Sequence, residues 1–355
     1  MIKIKLALID SDEIYVNRLT NYFNAHYSDK LEVFSFTKID TLLNFIQSNR
    51  INVLLATEDF NFDQKLFNGS FAFAYLVDSN NIESVNGKKA ICKFQKTEII
   101  YKEILNLYSE LSENSGVALK TDIDGETKII TFLPVAGGVG SSTMAAACSY
   151  NIAARGKRVL YLNLEQLGTP SLFFNGEGAF NLTDIFFAVK SKKANFLLKL
   201  ESSLKKDVSG VSFYDSCKTA LDMLEMKGDE FKTLLMEIRR SGFFDYIVVD
   251  TDLSIDDKLK NIMVLSNNIV LVNDGSEVSN LKFSRAYEAL NILENQSNIV
   301  LTPKMVVLYN KFRNNVSKQL ENYNLNVLGI IGEYLGVPNK AIALQVAKTE
   351  VFNRF

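Results

Sequence analysis

Histidine is almost missing from this 355-residue sequence, with His26 its one copy. Cysteine occurs only at Cys92, Cys148 and Cys217, and no Cys-x-x-Cys pair exists. These shortages argue against a zinc ribbon, a histidine-rich metal site and a disulfide framework. Neither sign of charge is in excess. The net value is −2, whereas a dedicated nucleic-acid binder carries a strong basic surplus. No run of about 18 apolar residues occurs, so no segment is expected to span a membrane. The opening stretch MIKIKLALID alternates like a strand and lacks the continuous apolar core of a signal peptide. Unpaired cysteines suit a reducing interior. The expectation is a cytoplasmic protein whose chemistry runs on carboxylates, hydroxyls and backbone amides.

What is present fits a globular α/β chain. Apolar residues make up 47% and charged residues 23%, which leaves little room for extended disorder. At roughly 150 residues per domain, the length predicts two domains. Strand-like apolar runs are read at Lys3–Ile9, Ile51–Leu55, Phe71–Val77 and Ala90–Phe94. A second series follows at Lys128–Leu133, Arg158–Leu162, Tyr246–Asp250, Asn268–Asn273, Lys304–Tyr309 and Asn326–Ile331. Helical periods lie between them, over Ile14–Phe23, Glu98–Leu111, Ser142–Ala154, Asp229–Arg240 and Val278–Leu293. That alternation predicts mainly parallel sheets covered on both faces. The small polar residues Ser112-Glu-Asn-Ser-Gly116, with the turn-like Asp122-Ile-Asp-Gly125, suggest a linker. The expected domains are therefore 1–115 and 116–355. The lysine-bearing stretch Lys190–Lys206 reads as the solvated face of one or two amphipathic helices, or else as a docking patch.

The most informative segment runs from Ile129 to Met144, ITFLPVAGGVGSSTM after its first residue. A buried strand enters Gly137, Gly138, Val139 and Gly140 and passes directly into an Ala-rich helix. Glycines let successive N–H groups converge on one point, and the helix N-terminus adds partial positive charge, which suits a phosphate. Ser142 and Thr143 stand where hydroxyls reach Mg²⁺ and a phosphate oxygen. The same pattern also serves as an ordinary Gly-rich turn between strand and helix. No lysine follows Gly140; Ser141 stands there instead.

This segment resembles the deviant Walker A motif of the MinD/ParA ATPases, KGGxGK[ST][ST]. In that comparison Ala136 and Ser141 replace the two lysines, and such lysine-poor versions are familiar in the TadZ/CpaE branch. Other segments extend the resemblance across roughly 127–355. Asn163 and Glu165 occupy the two acidic positions of the family's second strand. Asp250 ends a strand similar to Walker B, which implies a role in holding Mg²⁺ through a water, alongside Ser142. Ser266–Asn273 resembles the next core strand. Asn310 matches the asparagine that reads adenine. Glu165 keeps a carboxylate where the family polarises water, so Glu165 and Asp250 are the implied catalytic positions. Losing an electrostatic donor typically costs roughly 10²–10³ in rate. With both lysines replaced, ATP and Mg²⁺ are expected to bind, with hydrolysis slow or absent.

The first 111 residues read as five βα units. Leu6–Glu13 resembles the first strand and acidic pocket of a receiver domain, but Ala56 stands where the phosphoacceptor aspartate ends the third strand. Lys93 corresponds to the family's late lysine, which without an aspartyl phosphate is expected to have nothing to neutralise, and Glu58 and Asp59 lie further into the loop, where they are not expected to substitute. The chain thus resembles TadZ/CpaE proteins, which pair a degenerate receiver with a MinD-like domain. The resemblance implies two doubly wound α/β domains, a flavodoxin-like receiver and a P-loop NTPase. It implies an ATP-binding factor that positions pilus machinery, forms a homodimer and works at a cell pole. The alternatives are an active division-site or partition ATPase and a nucleotide-free scaffold. The tail Lys340–Phe355 reads as core packing, leaving at most peripheral membrane contact.

Overall fold

A computed structural model describes residues 3–60, 62, 71–111, 127–191, 195–321 and 323–355. Packing divides the chain into two units, Met1–Leu119 with Ser191–Ser202, and Lys120–Lys190 with Ser203–Phe355. The expected linker at 112–116 and turn at 122–125 lie outside the described residues.

The first unit contains β1 (Ile4–Ile9), α1 (Glu13–His26), β2 (Leu31–Phe36), α2 (Ile39–Ser48), β3 (Val53–Thr57), β4 (Ala72–Val77), β5 (Ser84–Val85), β6 (Lys88–Cys92) and α3 (Thr97–Leu111). The sheet order is β2-β1-β3-β4-β6-β5. All neighbours run parallel except β5 against β6. The five parallel strands follow the flavodoxin-like order. Alternation along β1 serves both faces. Leu6 and Leu8 pack with Phe23 and Ile104, while Ala7 and Ile9 pack with Leu42 and Leu54. The Asp12 carboxylate starts α1 by accepting from the N–H groups of Ile14 and Tyr15, at 2.9 and 3.1 Å.

One of the five expected βα units is replaced. A hairpin, not a helix, connects β4 to β6. Asn86 and Gly87 take left-handed φ values of 50° and 72°, the pair that a tight two-residue hairpin turn requires. The lysine stretch also departs from a purely solvated face. Its helix α6 (Phe196–Ser203) belongs mostly to this first unit. Leu198 enters the core, Glu201 accepts from the Tyr101 hydroxyl at 3.0 Å and pairs with Lys30, and Lys199 donates to Asn106.

The second unit opens with β7 (Lys128–Pro134), α4 (Ser141–Ala154), β8 (Val159–Asn163) and α5 (Leu182–Lys190). After α6 come β9 (Lys205–Lys206), β10 (Ser212–Phe213), α7 (Ala220–Glu225), α8 (Gly228–Arg240) and β11 (Tyr246–Asp250). The chain then forms α9 (Asp257–Leu265), β12 (Asn268–Asn273), α10 (Glu277–Ser297), β13 (Met305–Phe312), β14 (Asn326–Gly332) and α11 (Asn339–Val346). The eight strands are ordered β14-β13-β12-β7-β11-β8-β10-β9, parallel except for β9. Strand β7 is central, with β11 on one side and β12 on the other. Its loop and Asp250 therefore emerge side by side at the carboxyl edge of the sheet, where α/β folds bind ligands. Helix α4 is buried from Thr143 through Ile152, as an apolar helix must be. The tail packs as core: Ile342, Val346 and Phe352 are buried, and Phe355 lies against the same cluster. Among the described residues, no helix is long and apolar enough to cross a membrane.

Candidate functional site

Strand β7 delivers the chain into a loop whose shape depends on two glycines. Gly138 and Gly140 hold φ at +79° and +85°, where an L side chain costs roughly 1–2 kcal/mol. At Gly140 space also excludes a side chain, because a Cβ would stand 2.5 Å from Asn310 Nδ2. Gly140 begins α4 without any side-chain cap, so the first amides of the helix face outward as an anion site needs. Ser141 is buried, and its Oγ has no partner among the described residues. Ala136 packs against the core clusters on both faces of the sheet. Neither position offers an ammonium.

The loop opens on a cavity of about 470 Å³, lined by Gly137 through Thr143, Glu165, Asp252, Asn310 and Lys311 among others. That volume falls within the usual range for small-molecule sites. The Ser142 hydroxyl donates to Glu165 Oε1 at 3.2 Å, and Asn163 Nδ2 donates to Glu165 Oε2 at 2.9 Å. Asp250 does not line the cavity. It ends β11 beneath these groups, fully buried. Its Oδ2 accepts from the Tyr161 hydroxyl at 2.7 Å and from Asn163 Nδ2 at 3.0 Å, and Oδ1 has no partner among the described residues. Burial, reinforced by the nearby negative charge of Glu165, raises its carboxyl to about 8.

Ser142, Glu165 and Asp250 thus form one connected acidic patch beside the loop. A buried carboxyl oxygen with no partner among the described residues, next to a hydroxyl and a second carboxyl group, suits a hydrated Mg²⁺, a hard cation that keeps several of its waters and whose charge would favour the ionised carboxyl. The phosphate loop and the acidic patch fit a magnesium nucleotide.

Asn310 and Lys311 reach the loop from the end of β13. Asn310 is buried and donates through Nδ2 to the Val139 carbonyl at 2.7 Å. Lys311 takes a left-handed φ of 58°, unusual outside glycine, asparagine and aspartate. Its ammonium donates to the Gly138 carbonyl at 2.7 Å. Asn310 had a motif to point to it, whereas Tyr161 and Lys311 had none. Tyr161 sits two residues before Asn163 and so on the same face of β8. Lys311 directly follows Asn310, and adjacency was its only trace in the sequence. A second cation, Lys258, donates to the Leu164 carbonyl at the end of β8, and burial holds it below the ordinary lysine value.

The first unit carries a second acidic pocket. Asp10 is buried and accepts from the Asp12 N–H at 2.9 Å. Lys93 lies 3.0 Å from Asp78 and 3.6 Å from Asp10. Burial pulls the ammonium down, but the bond to Asp78 and the charge of Asp10 outweigh it and hold Lys93 above its ordinary value. Lys93 therefore has carboxylates to neutralise, contrary to expectation. Ala56 is buried in the core, and Glu58 and Asp59 are exposed beyond it.

Residues 2–109 match the family of TadZ-like receiver domains, and residues 127–302 match an AAA domain family. The chain joins a TadZ-like receiver domain to an AAA domain. This is the pairing expected from the motifs, with the receiver first and the nucleotide-type domain second. No curated protein matches the chain. Among solved structures, the chain is similar to a ParA family ATPase from Chlorobium tepidum, with 14% identity over 64% of this chain and 95% of that one at a TM-score of 0.49. It is similar to a plasmid partition protein from Borrelia burgdorferi bound to AMPPNP, at 20%, 64%, 95% and 0.48 respectively. It is also similar to the septum site-determining protein MinD from Pyrococcus horikoshii complexed with Mg-ADP, at 12%, 62%, 94% and 0.47.

Proposed function

We propose that this chain is an ATP- and Mg²⁺-binding localisation and assembly factor of the TadZ/CpaE type, a binder far more than a hydrolase. One observation carries the reading: the loop keeps its glycines, outward amides and hydroxyls, while Ala136 and Ser141 stand where the MinD/ParA motif places lysines. Amides of Gly137 to Thr143 hold the phosphates. Ser142, with Asp250 behind it through water, holds Mg²⁺, which neutralises phosphate charge when bound. Asn310 keeps a carbonyl oxygen and a second amide proton for the adenine edge beyond its bond to Val139. Glu165, aimed by Ser142 and Asn163, is placed to polarise a water. Without the two lysines, charge developing on the phosphoryl oxygens lacks its usual support, so turnover is slow.

In this reading nucleotide stabilises a homodimer, and the receiver-like domain docks on pilus-assembly or polar-localisation proteins. Ala56 supports docking over phosphorelay, since it offers no acceptor oxygen. The test is phosphate release by the purified protein at saturating ATP and Mg²⁺. The expected rate is at least ~10²-fold below that of a lysine-bearing homologue. Equal rates would refute the assignment and favour an active partition-type ATPase.

A further inference from the structure

The loss of both motif lysines leaves a magnesium nucleotide two cations short at its phosphates. The structure places an ammonium at that rim from a different element. Strand β13 loses its regular register with β14 between Tyr309 and Phe312, which frees residues 310 and 311 from the ladder. Asn310 then anchors the chain to the Val139 carbonyl at 2.7 Å. The left-handed turn at Lys311, φ 58°, throws the lysine side chain over the loop. Its Nζ rests on the Gly138 carbonyl at 2.7 Å, and its Cε lies 3.7 Å from the point where a Gly140 Cβ would stand. The side chain is exposed and lines the same cavity as Ser142 and Glu165. Among the described residues no carboxylate lies within ion-pairing distance of it, although its charge, after the Arg313 bond, helps hold the Glu333 carboxyl below the usual range. Glu333 is held by the Arg313 guanidinium through two bonds of 2.7 Å.

We propose that Lys311 supplies the phosphate-binding cation in place of the residue missing at Ser141. An ammonium parked on a neutral carbonyl keeps its charge, and a phosphate oxygen is the stronger acceptor. Lysine's flexible stem lets the ammonium leave the Gly138 carbonyl for the phosphate tail without moving the backbone. The left-handed turn and the Asn310 anchor set where that stem begins. This assignment rests on the reading of Gly137–Thr143 as a nucleotide site.

The experiment is a calorimetric titration of the full chain with ATP and Mg²⁺, for wild type, Lys311→Gln and Lys311→Arg. Glutamine keeps an N–H donor for the Gly138 carbonyl but removes the charge. Arginine keeps the charge. Because Lys311 is exposed, both variants should melt with the wild type. The expected result is a tenfold or greater loss of affinity in Lys311→Gln and a loss under threefold in Lys311→Arg. Wild-type affinity in Lys311→Gln would reduce Lys311 to a pin for the loop and overturn the proposal. Equal losses in both variants would also overturn it, since charge would not be what matters. A wild type that binds no nucleotide would bring down the site itself, an outcome distinct from either.

Discussion

Gly140→Ala isolates how the loop and the end of β13 hold each other. Two costs apply. An alanine at φ +85° loses roughly 1–2 kcal/mol to left-handed strain. Its Cβ would also stand 2.5 Å from Asn310 Nδ2, so the amide must turn away from the Val139 carbonyl. That removes a hydrogen bond and leaves a buried donor unpaired, at roughly 1–3 kcal/mol. The total is roughly 2–5 kcal/mol. Gly138→Ala is the built-in control, because its φ is +79° but nothing lies within 4 Å of its Cβ. It should lose only the backbone share, roughly 1–2 kcal/mol. Urea unfolding of both variants, repeated in an Asn310→Ala background, measures the difference. There the two glycine substitutions should cost the same. Equal costs in the wild-type background would refute the argument that Asn310 clamps the loop.

Other outcomes follow from the same geometry. Burial and the charge of Glu165 raise Asp250 to about 8, so the folded chain keeps a proton that the unfolded chain releases near ~3.9. The stability from that proton is fully present below the unfolded value and is lost as pH rises through the folded one. Asp250→Asn should therefore flatten the decline of stability between about pH 4 and 8, and an unchanged slope in urea midpoints would contradict the assignment. Lys93→Met strands the buried Asp10 and should destabilise the first unit by roughly 3 kcal/mol, with Asp10→Asn recovering most of it in the double variant. Tyr101→Phe removes the 3.0 Å bond to Glu201 and should cost about 1 kcal/mol. Amide exchange should quicken within Phe196–Ser203, and unchanged protection there would show that Leu198 packing alone holds α6.

Long, buried elements were the legible ones. Strands β7, β11 and β12 are continuous apolar runs because both faces of a parallel sheet are covered. Strand β2 leaves no continuous apolar run in the sequence because it lies at the sheet edge and is buried only in part. The two-residue strands β9 and β10 are too short to show any period. The hairpin around Asn86-Gly87 was written in its turn residues but hidden by the expectation of a regular βα rhythm. At the site, glycines and hydroxyls stand in one stretch of sequence and were readable there. The network joining Tyr161, Asn163, Glu165 and Asp250 links two strands through side chains, and Lys311 depends on a bulge and a left-handed residue. Such features arise from tertiary placement, which linear spacing does not record.

The most direct test of the account is calorimetric titration of the purified wild-type chain with ATP in the presence and absence of Mg²⁺. The account predicts saturable binding that tightens with Mg²⁺ and is abolished by Gly140→Asp, which puts a charged side chain against Asn310 in the loop. Absence of heat under all conditions, or affinity undiminished in Gly140→Asp, would contradict it.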